Sequence, residues 1–312
     1  MSPLIDVTIS ARSKLTDAIA EFTLSPVSGD ALPAFTPGAH ITVETPSGAM
    51  RRYSLVNDGA APETYVIALK REAVSRGGSA SMYEAGLEGT VLRIEPPEND
   101  FALVPAPDYL LIAGGIGVTP VLSMARHLTN AGTPFRVVYC TRTASETAYL
   151  DELAGLGDHV KIHHDEGDFD QMYDFWDDFE TPKPTHVYCC GPAPLMEEVK
   201  ALCGHWPEGR VHFEDFKPVE VVKADDTPFT VHLKKAGQSI EVPSDLSILE
   251  AIRAAGIDTV SSCESGTCGT CKCGLIDGEA DHRDMVLMDH EKVNKIMICV
   301  SRAKSTELVL DL

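Results

Sequence analysis

The cysteines of this 312-residue chain constrain its fold more than any other feature. Five of the nine lie in the last 50 residues, and none lies in the first 139. Three of them form the spacing C-x4-C-x2-C between Cys263 and Cys271, and Cys299 follows near the C-terminus. This is the plant-type 2Fe–2S spacing. A cluster bound by it requires one loop and one distant segment to fold around a pair of irons.

Two irons in such a cluster need four thiolate ligands, and the loop supplies three of them. Gly266 and Gly269 let the backbone of this loop approach the inorganic sulfides and donate hydrogen bonds to them. A structural zinc site is the alternative, because Cys273 completes a compact C-x2-C-x-C. The four-cysteine spacing is the more specific pattern, and it leaves Cys273 as either a packed thiol or an alternate ligand. The predicted metal ligands are Cys263, Cys268, Cys271 and Cys299.

The residues around this loop predict a small α+β domain of the β-grasp type. Residues 229–233 and 239–242 alternate apolar and polar side chains and are joined by a glycine turn, which indicates a hairpin. Ser247 and Glu250 have the capping-box spacing that opens a short helix. Residues 296–300, which contain Cys299, and residues 307–312 have the composition of strands.

The middle of the chain predicts a site for a nucleotide. An apolar strand-like run, 109–113, leads into Gly114-Gly115-Ile116-Gly117 and then into Thr119-Pro120 and a helical pattern. Proline suits the first turn of a helix. Glycines between a strand and a helix allow backbone N–H groups and the helix dipole to meet a pyrophosphate. A purely structural turn is the alternative reading of this motif taken alone.

Further strands support the nucleotide site. Residues 136–140, 160–164 and 186–190 read as strands, and a helix follows over 193–202. Strands that alternate with helices predict a doubly wound parallel sheet. Ligands of such sheets bind at the carboxyl ends of the strands, where the glycine turn and Cys190-Gly191-Pro192 both fall.

The first 104 residues contain short alternating runs separated by turns, a pattern typical of an antiparallel β-barrel. One strand carries Arg51-Arg52-Tyr53-Ser54, which combines cations, an aromatic face and a hydroxyl. Arg76-Gly77-Gly78-Ser79 precedes a helical stretch and could hold a phosphate. Taken alone, each of these two motifs also fits a solvent-exposed surface that binds no ligand.

Together, R-x-Y-S, G-G-x-G-x-T-P and C-G-P resemble the ferredoxin–NADP⁺ reductase superfamily. The C-terminal ferredoxin pattern narrows the resemblance to the phthalate dioxygenase reductase family, over essentially the whole chain. The resemblance implies an FMN-binding β-barrel domain over 1–104, an NAD-binding α/β domain over 105–223 and a 2Fe–2S ferredoxin domain over 224–312. It also implies NADH as electron donor and a Rieske-type aromatic-ring oxygenase, foremost phthalate dioxygenase, as acceptor.

The resemblance also implies roles for single residues. The implied FMN-binding residues are Arg51, Tyr53, Ser54, Ala68, Leu69, Lys70, Arg76, Gly77, Gly78, Ser79 and Thr119. The implied nucleotide-binding residues are Gly114, Gly115, Gly117, Pro120, Thr141, Arg142, Gly191 and Pro192. Cys190 would help to place the nicotinamide, and Phe216 would cover the flavin face that the nicotinamide must reach. Arg52 departs from the family pattern and is either solvent-facing or a second phosphate contact.

Several alternatives stay open at this point. FAD could replace FMN, although no aromatic platform for its adenine is evident. The acceptor could be another aromatic oxygenase or a vanillate-type O-demethylase, because the reductase never touches the aromatic substrate. A non-enzymatic redox carrier is a further class. NADH is favoured over NADPH, because only Arg142 follows the second strand and the chain nearby is acidic.

Charge and cysteine usage limit the partners and the compartment. The net charge of −21 opposes binding to nucleic acid or anionic membrane. Residues 224–312 hold 15 acidic and 9 basic side chains, which favours docking on a basic protein patch. No apolar run is long enough to span a bilayer, and the first residues do not resemble a secretory signal. We expect a cytoplasmic monomer with reduced thiols.

Overall fold

The computed structural model describes residues 4–71, 78–207, 209–216, 223, 225–261, 266, 269–284 and 286–312. The chain divides into two compact units, Met1–His212 and Phe213–Leu312.

The first unit begins with a six-stranded antiparallel sheet. Its strands are β1 (Ile5–Lys14), β2 (Ile19–Pro26), β3 (His40–Glu44), β4 (Met50–Ser54), β5 (Tyr65–Lys70) and β6 (Val91–Ile94), with α1 (Gly78–Ala85) between the last two. The strand order is β4-β3-β6-β1-β2-β5, and the two outer strands meet at an antiparallel bridge between Leu55 and Ile67. The sheet therefore closes on itself, which confirms the predicted β-barrel.

A five-stranded sheet completes the first unit, and its last strand continues into the first two residues of the second unit. Its strands are β7 (Tyr109–Gly114), β8 (Phe135–Thr141), β9 (Val160–His164), β10 (His186–Cys190) and β11 (Val211–Glu214), and its helices are α2 (Val118–Ala131), α3 (Leu150–Ala154), α4 (Trp176–Phe179) and α5 (Ala193–Leu202). The strand order is β11-β10-β7-β8-β9, and β7 pairs in parallel with both β8 and β10. The chain order reverses between β7 and β10, which makes that gap the topological switch point.

The barrel and the parallel sheet share one hydrophobic core. Ile19, Val56 and Ala68 of the barrel pack in the same buried cluster as Leu111 and Val118. The Tyr188 hydroxyl of β10 donates to the carbonyl oxygen of Ala102 at 2.9 Å and accepts from the amide of Val104 at 2.7 Å, in the segment that leads out of the barrel. This shared core explains why both sheets belong to one compact unit.

The second unit contains a five-stranded sheet in the order β13-β12-β18-β14-β16 and a separate two-stranded pair, β15-β17. The elements are β12 (Phe229–Leu233), β13 (Gln238–Val242), α6 (Ile248–Ala254), β14 (Lys272–Asp277), β15 (Ala280–Asp281), β16 (Lys295–Met297), β17 (Arg302–Ala303) and β18 (Glu307–Leu310). Helix α6 begins with the predicted capping box: Ser247 Oγ accepts from the Glu250 amide, and the Glu250 carboxylate accepts from the Ser247 amide.

One predicted element differs from the structure. The segment 296–300 was predicted to be a strand through Cys299, but β16 ends at Met297 and Cys299 lies in the following turn. There the amides of Val300 and Ser301 donate to the Met297 carbonyl oxygen instead of to a neighbouring strand. No helix formed by the described residues is long and apolar enough to cross a membrane. The three-domain bounds stay a prediction.

Candidate functional site

The glycine turn after β7 and the Cys-Gly-Pro turn after β10 pack backbone against backbone. A Cβ atom built on Gly191 would lie 3.0 Å from the Gly114 Cα, and one built on Gly114 would lie 2.5 Å from Pro192 Cδ. A Cβ on Gly117 would overlap the carbonyl oxygen of Cys190. Only glycine allows this approach, so the two predicted nucleotide motifs do meet at the switch point.

Two side-chain hydroxyls donate hydrogen bonds to carbonyl oxygens of the glycine turn. Gly115 has φ +54°, and its carbonyl oxygen accepts a hydrogen bond of 3.0 Å from the hydroxyl of Tyr139. Thr119 is buried, and its hydroxyl donates to the carbonyl oxygen of Ile116 at 3.1 Å. Pro120 lies in the first turn of α2, as predicted. The backbone amides at the start of α2 thus point to the edge where a pyrophosphate could bind.

Cys190 ends β10 and has no exposed surface in the structure. Its side chain belongs to the shared core, beside the glycine turn. The family resemblance implies that Cys190 helps to position the nicotinamide. In the structure its side chain is buried, and its carbonyl oxygen lies beside Gly117 of the glycine turn.

Thr141 and Arg142 follow β8 at the same edge of the sheet. Thr141 is buried, and its hydroxyl lies 2.7 Å from the Thr147 hydroxyl and 2.8 Å from His164 Nδ1. The side chain of Arg142 is exposed. Thr141 therefore shapes the loop after β8, and Arg142 is the group of the two that a ligand could reach.

Beyond the bridge that closes the barrel, β4 and β5 form no hydrogen-bonded ladder, and we call the space between these two strands the gap. By the antiparallel register of that bridge, Ser54 and Tyr53 stand opposite Ala68 and Leu69 without forming a ladder. The Tyr53 hydroxyl and the Ser54 hydroxyl are buried and have no hydrogen-bond partner within the described part of the chain. Burial raises the pKa of Tyr53 to about 12, against the opposing effect of Arg51. Two buried hydroxyls without partners are the feature expected of a site shaped for a polar ligand.

The N-terminus of α1 lies beside this gap. The Arg51 side chain crosses directly over Gly78, where an added Cβ would lie 2.6 Å from the guanidinium Nε. Ser79 follows in the first turn of the same helix. The arrangement combines a cation with helical amides, which suits a phosphate. Arg76 and Gly77 lie outside the described residues.

The other predicted flavin-binding residues differ in their solvent exposure. Ala68 and Leu69 are buried on β5, whereas Lys70 is exposed at its end. Strand β5 lies against the glycine turn, so the gap and the nucleotide edge are neighbours. Arg52 points to solvent and lies 3.9 Å from Asp100, which favours its solvent-facing reading.

Sequence reasoning missed the polar contacts that join the barrel to the parallel sheet. The Tyr149 hydroxyl donates to the Glu21 carboxylate of β2 at 2.7 Å, and burial raises the pKa of Tyr149 well above its usual range. Tyr149 has φ +57°, a left-handed conformation that non-glycine residues rarely adopt. Arg126 of α2 donates to the Val56 carbonyl oxygen at 2.6 Å and binds both carboxylate oxygens of Glu152. These contacts join residues that are far apart in the sequence, so no local motif predicts them.

In the second unit, two of the predicted cluster ligands come together. Cys271 and Cys299 are both buried, and the Ile298 amide donates to the Cys271 carbonyl oxygen at 3.4 Å. Gly266 has φ +76° and is buried, as a tightly wrapped loop requires. Cys263 and Cys268 lie outside the described residues. The cysteines that are described, together with the glycine conformation, fit a ferredoxin cluster loop.

Cys273 packs in the hydrophobic core of the second unit, opposite Ile296. Burial raises the pKa of its thiol to about 11. Its side chain is therefore a packed thiol in this structure, one of the two readings left open by the spacing.

The second unit also contains a buried network of ion pairs that the sequence did not predict. Arg283 binds both carboxylate oxygens of Asp226, at 2.5 and 2.8 Å, and Asp281 at 2.6 Å. Arg302, which is 1% exposed, lies 3.3 Å from Asp226 and donates to the carbonyl oxygens of Thr227, Pro243 and Leu246. These bonds hold the pKa of Asp226 at about 2, chiefly through Arg283. Asp226 is therefore packed into the ferredoxin unit.

Phe216 follows β11, and its ring is 40% exposed. Its predicted place over the flavin stays a prediction.

Two domain families match this chain. The oxidoreductase NAD-binding domain matches residues 111–201, and the 2Fe-2S iron-sulfur cluster binding domain matches residues 231–304.

Curated proteins match over nearly the full length. The phthalate dioxygenase reductase of Burkholderia cepacia is 50% identical over 97% of this chain and 96% of that protein. The phthalate 4,5-dioxygenase oxygenase reductase subunit of Pseudomonas putida is 48% identical over 97% of this chain and 95% of that protein. Among solved structures, a phthalate dioxygenase reductase described as modular for electron transfer from pyridine nucleotides to [2Fe-2S] matches with a TM-score of 0.71 and 49% identity, over 99% of this chain and 98% of that one.

Proposed function

This chain belongs to the phthalate dioxygenase reductase family, and from that membership we propose that it carries electrons from NADH through FMN and a 2Fe–2S cluster to a Rieske-type aromatic-ring oxygenase. It is an oxidoreductase with an NAD-binding domain and a 2Fe–2S domain. The acceptor that we propose is the oxygenase component of phthalate dioxygenase. A bound flavin can accept two electrons as a hydride and release them one at a time, which matches the one-electron chemistry of the iron–sulfur cluster and of the oxygenase.

One observation carries the proposal for the first unit. The gap beside Tyr53 and Ser54 is next to the glycine turn, because β5 lies against that turn. A flavin in the gap would therefore be a neighbour of a nucleotide at the switch point. This neighbourhood supports direct hydride transfer between the two proposed ligands, a reaction that requires no general acid or base.

We assign the flavin contacts to the groups that surround the gap. The hydroxyls of Tyr53 and Ser54 would hydrogen-bond the flavin, and the backbone of Ala68 to Lys70 would line its edge. Arg51 and the amides at Gly78 and Ser79 would hold the single phosphate of FMN, with Arg76 and Gly77 as further proposed contacts. Thr119 would contact the flavin from the turn that it stabilises, because its hydroxyl donates to the Ile116 carbonyl oxygen within that turn.

The nucleotide contacts follow from the two turns. The glycines at 114, 115 and 117 and the start of α2 at Pro120 would bind the pyrophosphate. Cys190, Gly191 and Pro192 would place the nicotinamide, and Thr141 and Arg142 would border the adenosine end. Phe216 would cover the flavin face in the absence of nicotinamide. The exposed Arg142, without a second basic group after β8, favours NADH over NADPH.

The proposed cluster ligands are Cys263, Cys268, Cys271 and Cys299. Replacing Cys273 by serine tests this set, because the buried Cys273 thiol is not among the ligands. We expect C273S to keep the visible absorption of the cluster and C271S to lose it. A C273S protein without the cluster would contradict the ligand set.

An anaerobic titration with NADH, followed by visible absorption, tests the proposed electron path. One two-electron flavin and one one-electron cluster should both bleach with about one and a half equivalents of NADH. A purified protein that stays colourless after reconstitution with FMN, iron and sulfide would contradict the proposal. A flavin that proves to be FAD on extraction would overturn the FMN assignment alone.

The partner is tested by coupling the reduced protein to purified oxygenases. We expect NADH- and phthalate-dependent oxygen consumption with the oxygenase of phthalate dioxygenase, and slower turnover with that of vanillate O-demethylase. Faster turnover with the demethylase would move the assignment to that system. We also propose a cytoplasmic location, which is supported by the free thiols of Cys140, Cys189 and Cys203, none of which is in a disulfide.

A further inference from the structure

Asp284 and Val286 lie against the two described glycines of the cluster loop, Gly266 and Gly269. A Cβ atom built on Gly266 would lie 3.3 Å from the Asp284 Cα, and one built on Gly269 would lie 3.5 Å from a methyl group of Val286. Two glycines of the loop that supplies most of the proposed ligands are therefore packed against these residues. We call Asp284, Val286 and Leu287 the cover.

The Asp284 side chain shapes the cover from inside. Its carboxylate accepts hydrogen bonds from the amide of Val286 at 3.1 Å and from the amide of Leu287 at 2.8 Å. The hydroxyl of Ser301 lies 3.5 Å from the other carboxylate oxygen. The side chain of Asp284 has no exposed surface. A carboxylate that is buried in this way and accepts two backbone amides fixes the turn that it closes.

The neighbouring cation does not neutralise Asp284. The guanidinium of Arg283 binds the carboxylates of Asp226 and Asp281. The Nδ1 atom of His282 lies 3.7 Å from the Asp284 carboxylate. Asp284 thus keeps a negative charge close to the cluster loop, and the Arg283 network anchors the start of the cover.

We propose that Asp284 is a positioning residue for the 2Fe–2S cluster: it holds the cover on Gly266 and Gly269, shields the cluster from water and lowers its reduction potential. The inference rests on the proposed cluster ligands. Reduction potentials of such clusters depend on local charge and on solvent exposure. A fixed negative charge near the cluster disfavours the added electron, so it makes the cluster a stronger donor to its partner.

The test uses the full-length protein with its cluster and flavin, and measures the midpoint potential of the cluster by EPR-monitored titration. Asp284→Asn removes the charge and keeps an oxygen that can accept the two amide hydrogen bonds. We expect the ratio of reduced to oxidised cluster at a fixed ambient potential to rise about tenfold, a shift of about 59 mV for one electron.

Asp281→Asn is the matched control, because it removes the same charge three residues away. That charge is already paired with Arg283 at 2.6 Å, so we expect a much smaller shift of the cluster potential. An equal shift in both variants would mean a general charge effect and would overturn the role of Asp284.

A second measurement tests whether the cover shields the cluster from solvent. It records the rate at which a chelator removes iron from the protein. Val286→Ala removes the methyl group that lies against Gly269 without a change in charge, and Asp284→Ala removes both the carboxylate and its hydrogen bonds. We expect faster iron loss in both, by about tenfold in Asp284→Ala, and a rate close to the parent in Asp284→Asn. Parent rates in Val286→Ala and Asp284→Ala would overturn the shielding role.

The parent protein separates failure of this inference from failure of the proposed function. A parent without a 2Fe–2S signal would contradict the cluster ligands, and with them this inference. A parent with a normal signal and an Asp284→Asn variant of unchanged potential would contradict the inference alone.

Discussion

At the scale of the residue, two buried hydroxyls that find no hydrogen-bond partner among the described residues mark the flavin gap better than any charged group does. Tyr53 and Ser54 could be selected from the sequence, because R-x-Y-S puts them on one strand. Their burial and their missing partners could not be predicted, because both depend on how β4 separates from β5 after the Leu55–Ile67 bridge. The same holds for Tyr149, since its left-handed backbone and its bond to Glu21 join segments that are distant in sequence.

Replacing Tyr53 by phenylalanine removes one of the two buried hydroxyls. We expect the Kd for FMN to rise about fivefold to tenfold, the loss of a hydrogen bond of about 1 kcal/mol. The measurement is quenching of flavin fluorescence during titration of the apoprotein.

Tyr65→Phe is the control for the Tyr53 variant, because the Tyr65 hydroxyl is already bonded to the Pro33 carbonyl oxygen at 2.6 Å. It should lower thermal stability and leave FMN affinity unchanged. Unaltered FMN affinity in Tyr53→Phe would contradict the placement of the flavin in this gap.

At the scale of the element, strand–turn–helix boundaries were predictable where turn chemistry is explicit. The strand that ends at Cys190 and the helix over 193–202 both lie where the sequence predicts them. The capping box of α6 is also as predicted. The turn at Cys299 was not, because an apolar run alone does not distinguish a strand from a buried turn.

Two neighbouring strands, β10 and β11, stack their histidines. His212 lies 4.4 Å from the Tyr188 ring and 5.3 Å from the His186 ring, centroid to centroid, and its Nε2 is 3.0 Å from His186 Nδ1. Burial first, and then His186, lower the pKa of His212 to about 4. The folded protein therefore favours neutral His212.

This stack predicts a pH dependence of stability. Between the ordinary histidine pKa of about 6.5 and the folded value of about 4, the unfolded chain binds a proton that the folded chain does not. The stabilising contribution of neutral His212 is thus present at pH 7 and is lost as the pH falls through this window. In His212→Phe, which keeps an aromatic ring on Tyr188, urea unfolding should show a smaller loss of stability from pH 7 to pH 5.

His127→Gln, at an exposed position of α2, should keep the full pH dependence of the parent. A His212→Phe protein with the same pH profile as the parent would show that the histidine stack does not set it.

At the scale of the whole molecule, the order of barrel, parallel sheet and ferredoxin unit was predictable from motifs. What could not be predicted is that the first two share one core, since side chains from both sheets meet only after folding. The structure accordingly divides into two compact units, although three sets of motifs were recognised.

The shared core predicts that the barrel and the parallel sheet unfold together. Both tryptophans, Trp176 and Trp206, lie in the parallel-sheet part, whereas release of FMN reports on the barrel. We expect the urea midpoints of tryptophan fluorescence and of flavin release to coincide, and Tyr149→Phe to lower both together. Separate midpoints in the parent would contradict a single cooperative unit.

The acidic ferredoxin segment predicts a salt-sensitive encounter with the oxygenase. Residues 224–312 carry 15 acidic and 9 basic side chains, so a basic docking patch would be attracted and salt would screen it. The second-order rate constant for electron delivery to the oxygenase should fall severalfold between low and high ionic strength. Delivery to a neutral quinone is the control, and an equal fall there would remove the electrostatic explanation.

The contact between Gly114 and Gly191 has a consequence for how such a protein can change over time. Every amino acid that a single-base change of a glycine codon introduces brings a Cβ atom, and neither turn has room for one. Mutation can therefore damage this edge of the sheet but cannot adjust it in small steps. Selection for a different pyridine nucleotide or a different rate must act on surrounding positions with free space, such as the exposed Arg142, while the paired glycines stay as they are.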